Sequence, residues 1–238
     1  MPSIELPEPL LFNRKVIELG EKLFFDPFLS RDGTISCATC HVPDQGFAEN
    51  GKPFSTGIDG KKGLRNAPTL LNIAYAQSIF VDGRSDTLEE QAWQPILAHD
   101  EMGNSSVNSV LKKLKNTKDY PRLFGEFFPE GGLNKKNLAV ALSSFQRTLV
   151  SGNSDYDRWY YEGEDNAMNE TAQRGYQLFA GQAQCWQCHS IAGPGVLFSD
   201  NLFHNTGVSH RSKSKGLAED LGRYEFTKLE YDLSLIHI

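Results

Sequence analysis

The chain has 238 residues, 39% of them hydrophobic and 23% charged, so one or two ordinary globular domains fit, whereas a disordered or collagen-like chain does not. A formal net charge of −6 argues against a nucleic-acid-binding surface. The lack of any apolar run of about 18 residues argues against a membrane span.

In chain order, Met1-Pro-Ser-Ile-Glu5 shows no basic stretch followed by an apolar one, so an export signal is either removed or upstream of this start. Asn13 caps a predicted helix running through Phe24. Thr87 and Glu90 make a capping box for a helix reaching about Ala98. Apolar residues at three- and four-residue spacing predict helices over 106–116 and 134–150, and a further helix runs from about Asn169 to Phe179. The intervening stretches 42–66 and 191–207 are rich in Gly, Asn, Asp and Pro, and strand patterns are weak. A mainly α protein with irregular loops is expected. The final Leu233-Ser-Leu-Ile-His-Ile238 resembles a translated sequencing adapter and is set aside from fold reasoning, which makes the chain a fragment that is expected to be unstable in isolation.

All four cysteines fall in two copies of one pentapeptide, Cys37-Ala-Thr-Cys40-His41 and Cys185-Trp-Gln-Cys188-His189. Their surroundings repeat as well. Gly20, Leu23 and Phe24 precede the first copy as Gly175, Leu178 and Phe179 precede the second, and Phe47, Asn50, Phe54 and Thr56-Gly57 are echoed by Phe198, Asn201, Phe203 and Thr206-Gly207. Two related modules follow, 13–163 and 164–232, with the boundary near 163–167 and 233–238 as a non-native tail.

C-x-x-C-H is the attachment signature of c-type haem: two thiols add across the vinyl groups, and the histidine reaches the iron. The competing reading is a zinc site, but the two pairs lie far apart and each carries its own flanking copy. A thioredoxin-like dithiol lacks its βαβ context. Covalent haem implies an exported, periplasmic protein. A second axial His or Met is absent from 42–98, so the iron held by His41 is open to peroxide. His99 and Met102 are the nearest alternative ligands, against surface placement or packing. For the second iron, held by His189, the candidates are His204, His210, Met168 or a residue beyond this sequence.

Leu19-Gly-Glu-Lys-Leu-Phe-Phe-Asp-Pro, Gly33-Thr-Ile-Ser-Cys-Ala-Thr-Cys-His41, Gly63-Leu-Arg-Asn-Ala-Pro-Thr-Leu70, Asp82-Gly-Arg84 and Leu88-Glu-Glu-Gln91 resemble the bacterial dihaem cytochrome c peroxidase and MauG family. Arg174-Gly, Leu178-Phe179, Phe203-His-Asn-Thr-Gly207 and Leu221-Gly-Arg-Tyr224 extend the resemblance, so it covers residues 13–232. It implies two cytochrome c-like helical domains, each with one covalent haem, a calcium ion between them, and a peroxide-reactive N-terminal haem. It also implies a distal pocket of Gln91 and Glu101 with Pro95 between them. A carboxylate there suits the chemistry, because splitting the O–O bond moves a proton from one peroxide oxygen to the other. Asn66 matches a calcium ligand, in keeping with the cation's preference for oxygen.

The sequence departs from the family pattern at three places. Asp59 stands where many relatives carry a His that blocks the N-terminal haem, Val81 replaces a Trp before Asp82-Gly-Arg84, and the segment holding the second haem's sixth ligand is absent. Trp93 or Trp186 could replace that Trp, against a packing role for each. The expected activity is reduction of hydrogen peroxide to water with electrons from a small cytochrome c or a cupredoxin. The alternatives are a MauG-like oxidase acting on a protein or organic substrate, and a non-enzymatic dihaem electron carrier. A homodimer is a further expectation.

Overall fold

The structure is a computed structural model and describes residues 13–191, 196–206 and 220–232, with the backbone of 236–237. It is mainly helical and divides into two units: the described residues up to Phe80 with Arg84–Leu149, and Val81–Gly83 with the described residues from Val150 onward.

In the first unit, α1 (Arg14–Phe25) starts where the sequence places it, the Asn13 side chain accepting from the Lys15 N–H at 3.0 Å. Val16, Leu19, Leu23 and Phe24 recur on one face and are 2% exposed or less. After the short turn α2 (Cys37–Cys40) come α3 (Leu88–Gln91) and α4 (Trp93–Leu97). These two replace the single helix expected from Thr87 to about Ala98. Pro95 has no N–H for the Gln91 carbonyl and its ring crowds that oxygen, so the ladder breaks one turn before it.

Helices α5 (Val107–Lys115) and α6 (Asp119–Phe127) contribute Val110, Leu114, Tyr120 and Phe124 to the same core. At its centre lies α7 (Lys135–Arg147), capped by Asn134 and buried from Asn137 to Arg147. The α1–α7 crossing is close because residue 20 is glycine: a Cβ there would sit 1.9 Å from the Ala141 carbonyl oxygen. Arg147 also ties α7 to α3, meeting Glu89 at 2.6 and 3.2 Å, while the Ser143 hydroxyl donates to the same carboxylate at 2.5 Å. Burial alone would push the Glu89 carboxyl up, but the Ser143 and Arg147 contacts outweigh it and hold the group below the usual carboxylate range.

In the second unit, Ser154 caps α8 (Asp155–Tyr161) and Asn169 caps α9 (Glu170–Ala180). Tyr156 of α8 lies 5.4 Å from Tyr176 of α9 and 5.0 Å from Phe198, ring to ring. These aromatic contacts tie α8 to α9 and to Phe198 within the second unit, whose main segment starts at Val150. Arg223, just before α10 (Tyr224–Thr227), donates to the carbonyls of Asp82 at 3.0 Å and Gly83 at 3.4 Å, which explains why Val81–Gly83 belongs to this unit. Strand β1 (Phe203–His204) pairs antiparallel with β2 (Ile236–His237), so part of the tail set aside on sequence grounds takes up backbone pairing.

Gly20→Ala forces the α1–α7 contact apart, and overpacking of this kind costs about 1–3 kcal/mol. Denaturant unfolding of the haem-loaded protein is expected to show that loss, and an unchanged midpoint would mean the crossing is not tight.

Candidate functional site

Both pentapeptides close one helical turn. In α2 the Ser36 N–H donates to Thr39 Oγ1 at 3.0 Å and the His41 N–H to the Cys37 carbonyl at 2.9 Å. Three-residue spacing then places Cys37 and Cys40 on one side of the turn. In the second unit Cys185–Gln187 forms a 3-10 turn, and the His189 N–H donates to the Cys185 carbonyl, again at 2.9 Å.

The imidazoles are held alike as well. His41 Nδ1 lies 3.0 Å from the Phe47 carbonyl oxygen and 3.1 Å from that of Pro68, and His189 Nδ1 lies 3.0 Å from that of Phe198. A carbonyl only accepts, so Nδ1 carries the proton and Nε2 the lone pair. Phe47 and Phe198 both take a left-handed φ of 54°, a strained conformation for so bulky a residue, and it turns each carbonyl back to its histidine. Phe24 packs 6.5 Å from the His41 ring, and Phe179 6.0 Å from that of His189.

This donor set fits a covalent c-type haem. Burial pushes the Cys37 thiol up to about 12 and that of Cys40 to about 11, with negative charge adding to both, from Glu101 at Cys37 and from Glu49 and Glu101 at Cys40. The lone pair at Nε2 is what an axial ligand needs, and the bond at Nδ1 fixes ring orientation and tautomer.

Glu101 is positioned by the end of α4. The last carbonyls of a helix need donors, and here the following loop supplies them. The Ala98 N–H donates to Gln94 at 2.8 Å, Met102 to Pro95 at 3.1 Å, and both the backbone N–H and side-chain amide of Asn104 to Ile96 at 3.3 and 2.9 Å. The loop so formed brings the Glu101 charge within range of Cys37 and Cys40. Its carboxylate is open to solvent, yet enough protein surrounds it that burial raises its pKa. Asp100 adds to the rise and Arg84 opposes it. Gln91 ends α3, and Pro95 sits in α4 with its carbonyl engaged by Met102.

The loop holding Asp59 is fastened to this segment. The Ile58 N–H donates to the Glu101 carbonyl at 2.8 Å, Ile58 is 1% exposed, and a Cβ on Gly57 would lie 2.1 Å from the Asp100 carbonyl oxygen. Both Asp59 oxygens accept from Arg31 at 2.9 Å, and Lys61 donates to the His99 carbonyl at 3.2 Å.

Of the alternative ligands, His99 has an 86% exposed side chain, while Met102 is buried in the core. His204 has Nε2 at 2.9 Å from Asp200 and Nδ1 at 3.7 Å from Cys188 Sγ, so both nitrogens are engaged. Met168 is half-buried, and His210 lies outside the described residues. Trp93 is a core residue donating to the Lys135 carbonyl at 3.2 Å, whereas Trp186 is exposed. The Asn66 amide nitrogen donates to the carbonyls of Glu49 at 2.5 Å and Lys52 at 2.7 Å, which leaves its amide oxygen for another partner. Sequence reasoning passed over the carbonyls of Phe47, Phe198 and Pro68 and the side chain of Arg84. For the first two a signal existed, since both phenylalanines belong to the repeated pattern.

The profile of the di-haem cytochrome c peroxidase family matches residues 14–166, and the chain belongs to that family. It is 39% identical over 225 residues to the methylamine utilization protein MauG of Methylorubrum extorquens, covering 94% of this chain and 60% of that one. To the cytochrome c peroxidase Ccp of Escherichia coli it is 34% identical, covering 97% of this chain and 48% of the relative. The chain thus spans about half to three fifths of the length of these relatives. A solved MauG-like protein associated with microbial copper homeostasis superposes with a TM-score of 0.84 at 30% identity, covering all of this chain and 71% of the other. The family fits the two haem-attachment turns and the mainly helical fold of two cytochrome c-like units.

Asp59→Asn tests the fastening of the loop. Asn tolerates the left-handed φ of 59° but loses the charge. An exposed ion pair is worth about 0.2–1 kcal/mol, so hydrogen exchange at the Ile58 amide is expected to quicken by no more than about fivefold. A much larger effect would make the ion pair the main restraint.

Proposed function

We propose that the protein is a dihaem peroxidase, reducing hydrogen peroxide to water with electrons from a small c-type cytochrome or a cupredoxin. The observation that carries this reading is Glu101, a carboxylate of raised pKa held near the Cys37–Cys40 turn whose His41 offers Nε2. A haem attached there supplies the iron centre at which peroxide accepts two electrons. Glu101 takes a proton from one peroxide oxygen and returns it to the other, and with the two electrons and two further protons from solvent the products are two waters. Gln91, neutral, orients peroxide without competing for that proton, and Pro95 shapes the turn between them. His41 would hold the iron of the haem that meets peroxide, and His189 that of the electron-accepting haem. Asp59 faces Arg31, His99 faces solvent and Met102 is packed away, so none of the three is placed to serve as a second ligand, which would leave a haem iron held by His41 high-spin at rest.

A second reading, a MauG-like oxidase that uses peroxide to oxidise a protein or organic substrate, is favoured by the higher identity to MauG than to Ccp, 39% against 34%. The free amide oxygen of Asn66 supports its role as a calcium ligand. Periplasmic location and a homodimer complete the proposal.

Peroxide-dependent oxidation of a reduced small cytochrome c by the haem-loaded protein is the test. Glu101→Gln is expected to lower turnover by about 10² with haem content unchanged, and turnover like that of the parent removes Glu101 from the mechanism. Haem spectra that respond to peroxide without any turnover favour the oxidase. The pH profile supplies a second check. Glu101 must be ionised to accept a proton, so activity falls as pH drops through its raised pKa. Asp100→Asn removes one cause of that rise and shifts the acid limb to lower pH; a limb that stays in place assigns it to another group.

A further inference from the structure

The two haem-attachment turns share one more feature, an acid beside the second cysteine. In the first unit the Val42 N–H donates to the Ala48 carbonyl at 3.1 Å, which brings the next residue, Glu49, alongside the turn. Its side chain is 6% exposed, with Oε1 at 2.6 Å from Lys52 Nζ. Oε2 is buried and has no hydrogen-bond partner. The Ser55 hydroxyl lies beside both the Glu49 carboxylate and the Cys40 thiol. In the second unit Asp200 stands two residues after Phe198 as Glu49 stands two after Phe47, and its N–H donates to the Cys188 carbonyl at 3.1 Å. There His204 takes the bridging place, between Asp200 Oδ2 at 2.9 Å and Cys188 Sγ at 3.7 Å.

The two acids differ in compensation. Asp200 is 16% exposed and shared with an imidazole, whereas Glu49 is more deeply buried and only one of its oxygens is engaged. A buried oxygen without a partner costs about 1–3 kcal/mol, so it calls for an explanation. The Lys52 ammonium, 2.6 Å from Oε1, favours the ionised carboxylate. The antiparallel bridge between Val42 and Ala48 sets Glu49 beside His41.

We propose that Glu49 is a positioning residue that sets the reduction potential of the iron held by His41, its buried negative charge favouring the oxidised iron and Lys52 partly offsetting it. In a poorly screened interior, an anion near the axial imidazole stabilises the more positive oxidation state. The inference rests on haem attached at Cys37, Cys40 and His41, and does not depend on which peroxide chemistry follows.

Spectroelectrochemical titration of the haem-loaded protein tests it by sign. Glu49→Gln keeps the shape and removes the charge, and is expected to shift the electron-transfer equilibrium of the His41 haem at least tenfold toward reduction, a rise of about 59 mV for one electron. Lys52→Gln is expected to move the same haem the other way, by at least twofold, because it exposes the uncompensated carboxylate. Asp200→Asn is expected to leave the His41 haem in place. A purely structural role would not give opposite signs at Glu49 and Lys52. Shifts of the same sign, or none with both haems retained, overturn the proposal. Should Glu49→Gln fail to hold haem, Lys52→Gln decides alone: a lower midpoint supports the proposal, and an unchanged or higher one overturns it. Loss of peroxide turnover with these shifts intact counts against the peroxidase reading and not against this one.

Discussion

The bond between a histidine Nδ1 and the carbonyl of a left-handed phenylalanine is the constraint on which both haem turns depend. It settles the tautomer, and through the tautomer which nitrogen can bind a metal. It requires a backbone conformation that phenylalanine pays for, and the same conformation occurs twice, at Phe47 and Phe198. The strain persists because each ring is held from outside the turn: Phe47 lies 6.1 Å from Phe24, and Phe198 5.7 Å from Phe179. Those two packing residues belong to α1 and α9, the helices that precede the two pentapeptides. Helix, strained turn and cysteine pair therefore form one mechanical unit, copied with its geometry.

On the opposite side of the first site the supports differ. Helix α7 is buried along most of its length, and it holds α3 through the Arg147–Glu89 pair. Helix α4 ends at Leu97, and its last carbonyls draw in the segment carrying Glu101. Pro95, inside α4, breaks the ladder one turn earlier and so decides where Gln91 ends its helix.

Much of this was legible in the sequence, because capping and attachment chemistry are local. Asn13, Thr87, Ser106, Asn134 and Asn169 each mark a helix start that the structure contains. Helix α6 escaped because Lys118 at its start offers no side-chain cap and Pro121 sits in its first turn. Helix α8 escaped because Tyr156, Trp159, Tyr160 and Tyr161 blur any apolar stripe, although Ser154 with Asp157 does cap it. Gln91 and Glu101 were reachable only through resemblance: nothing local distinguishes Glu101 from a surface acid, since its crowding comes from loops distant in sequence. The φ of Phe47 had no local signal either, because left-handed residues are expected at Gly or Asn.

The loop around Asp59 shows how magnitudes rank interactions that look alike in a list of contacts. The bidentate Arg31–Asp59 pair is its most conspicuous bond, yet both side chains are nearly half exposed, and such a pair contributes at most about 1 kcal/mol. Ile58 is 1% exposed, and burying a side chain of that size contributes about 1.5–3 kcal/mol. The hydrogen bond from Ile58 to the Glu101 carbonyl adds about 0.5–1.5 kcal/mol. Ile58 therefore supplies most of the restraint, and the ion pair mainly fixes the direction of the Asp59 side chain. Because Ile58 grips the backbone of Glu101 itself, moving this loop displaces the Glu101 carboxylate as well. The position of the loop and that of Glu101 are thus one variable.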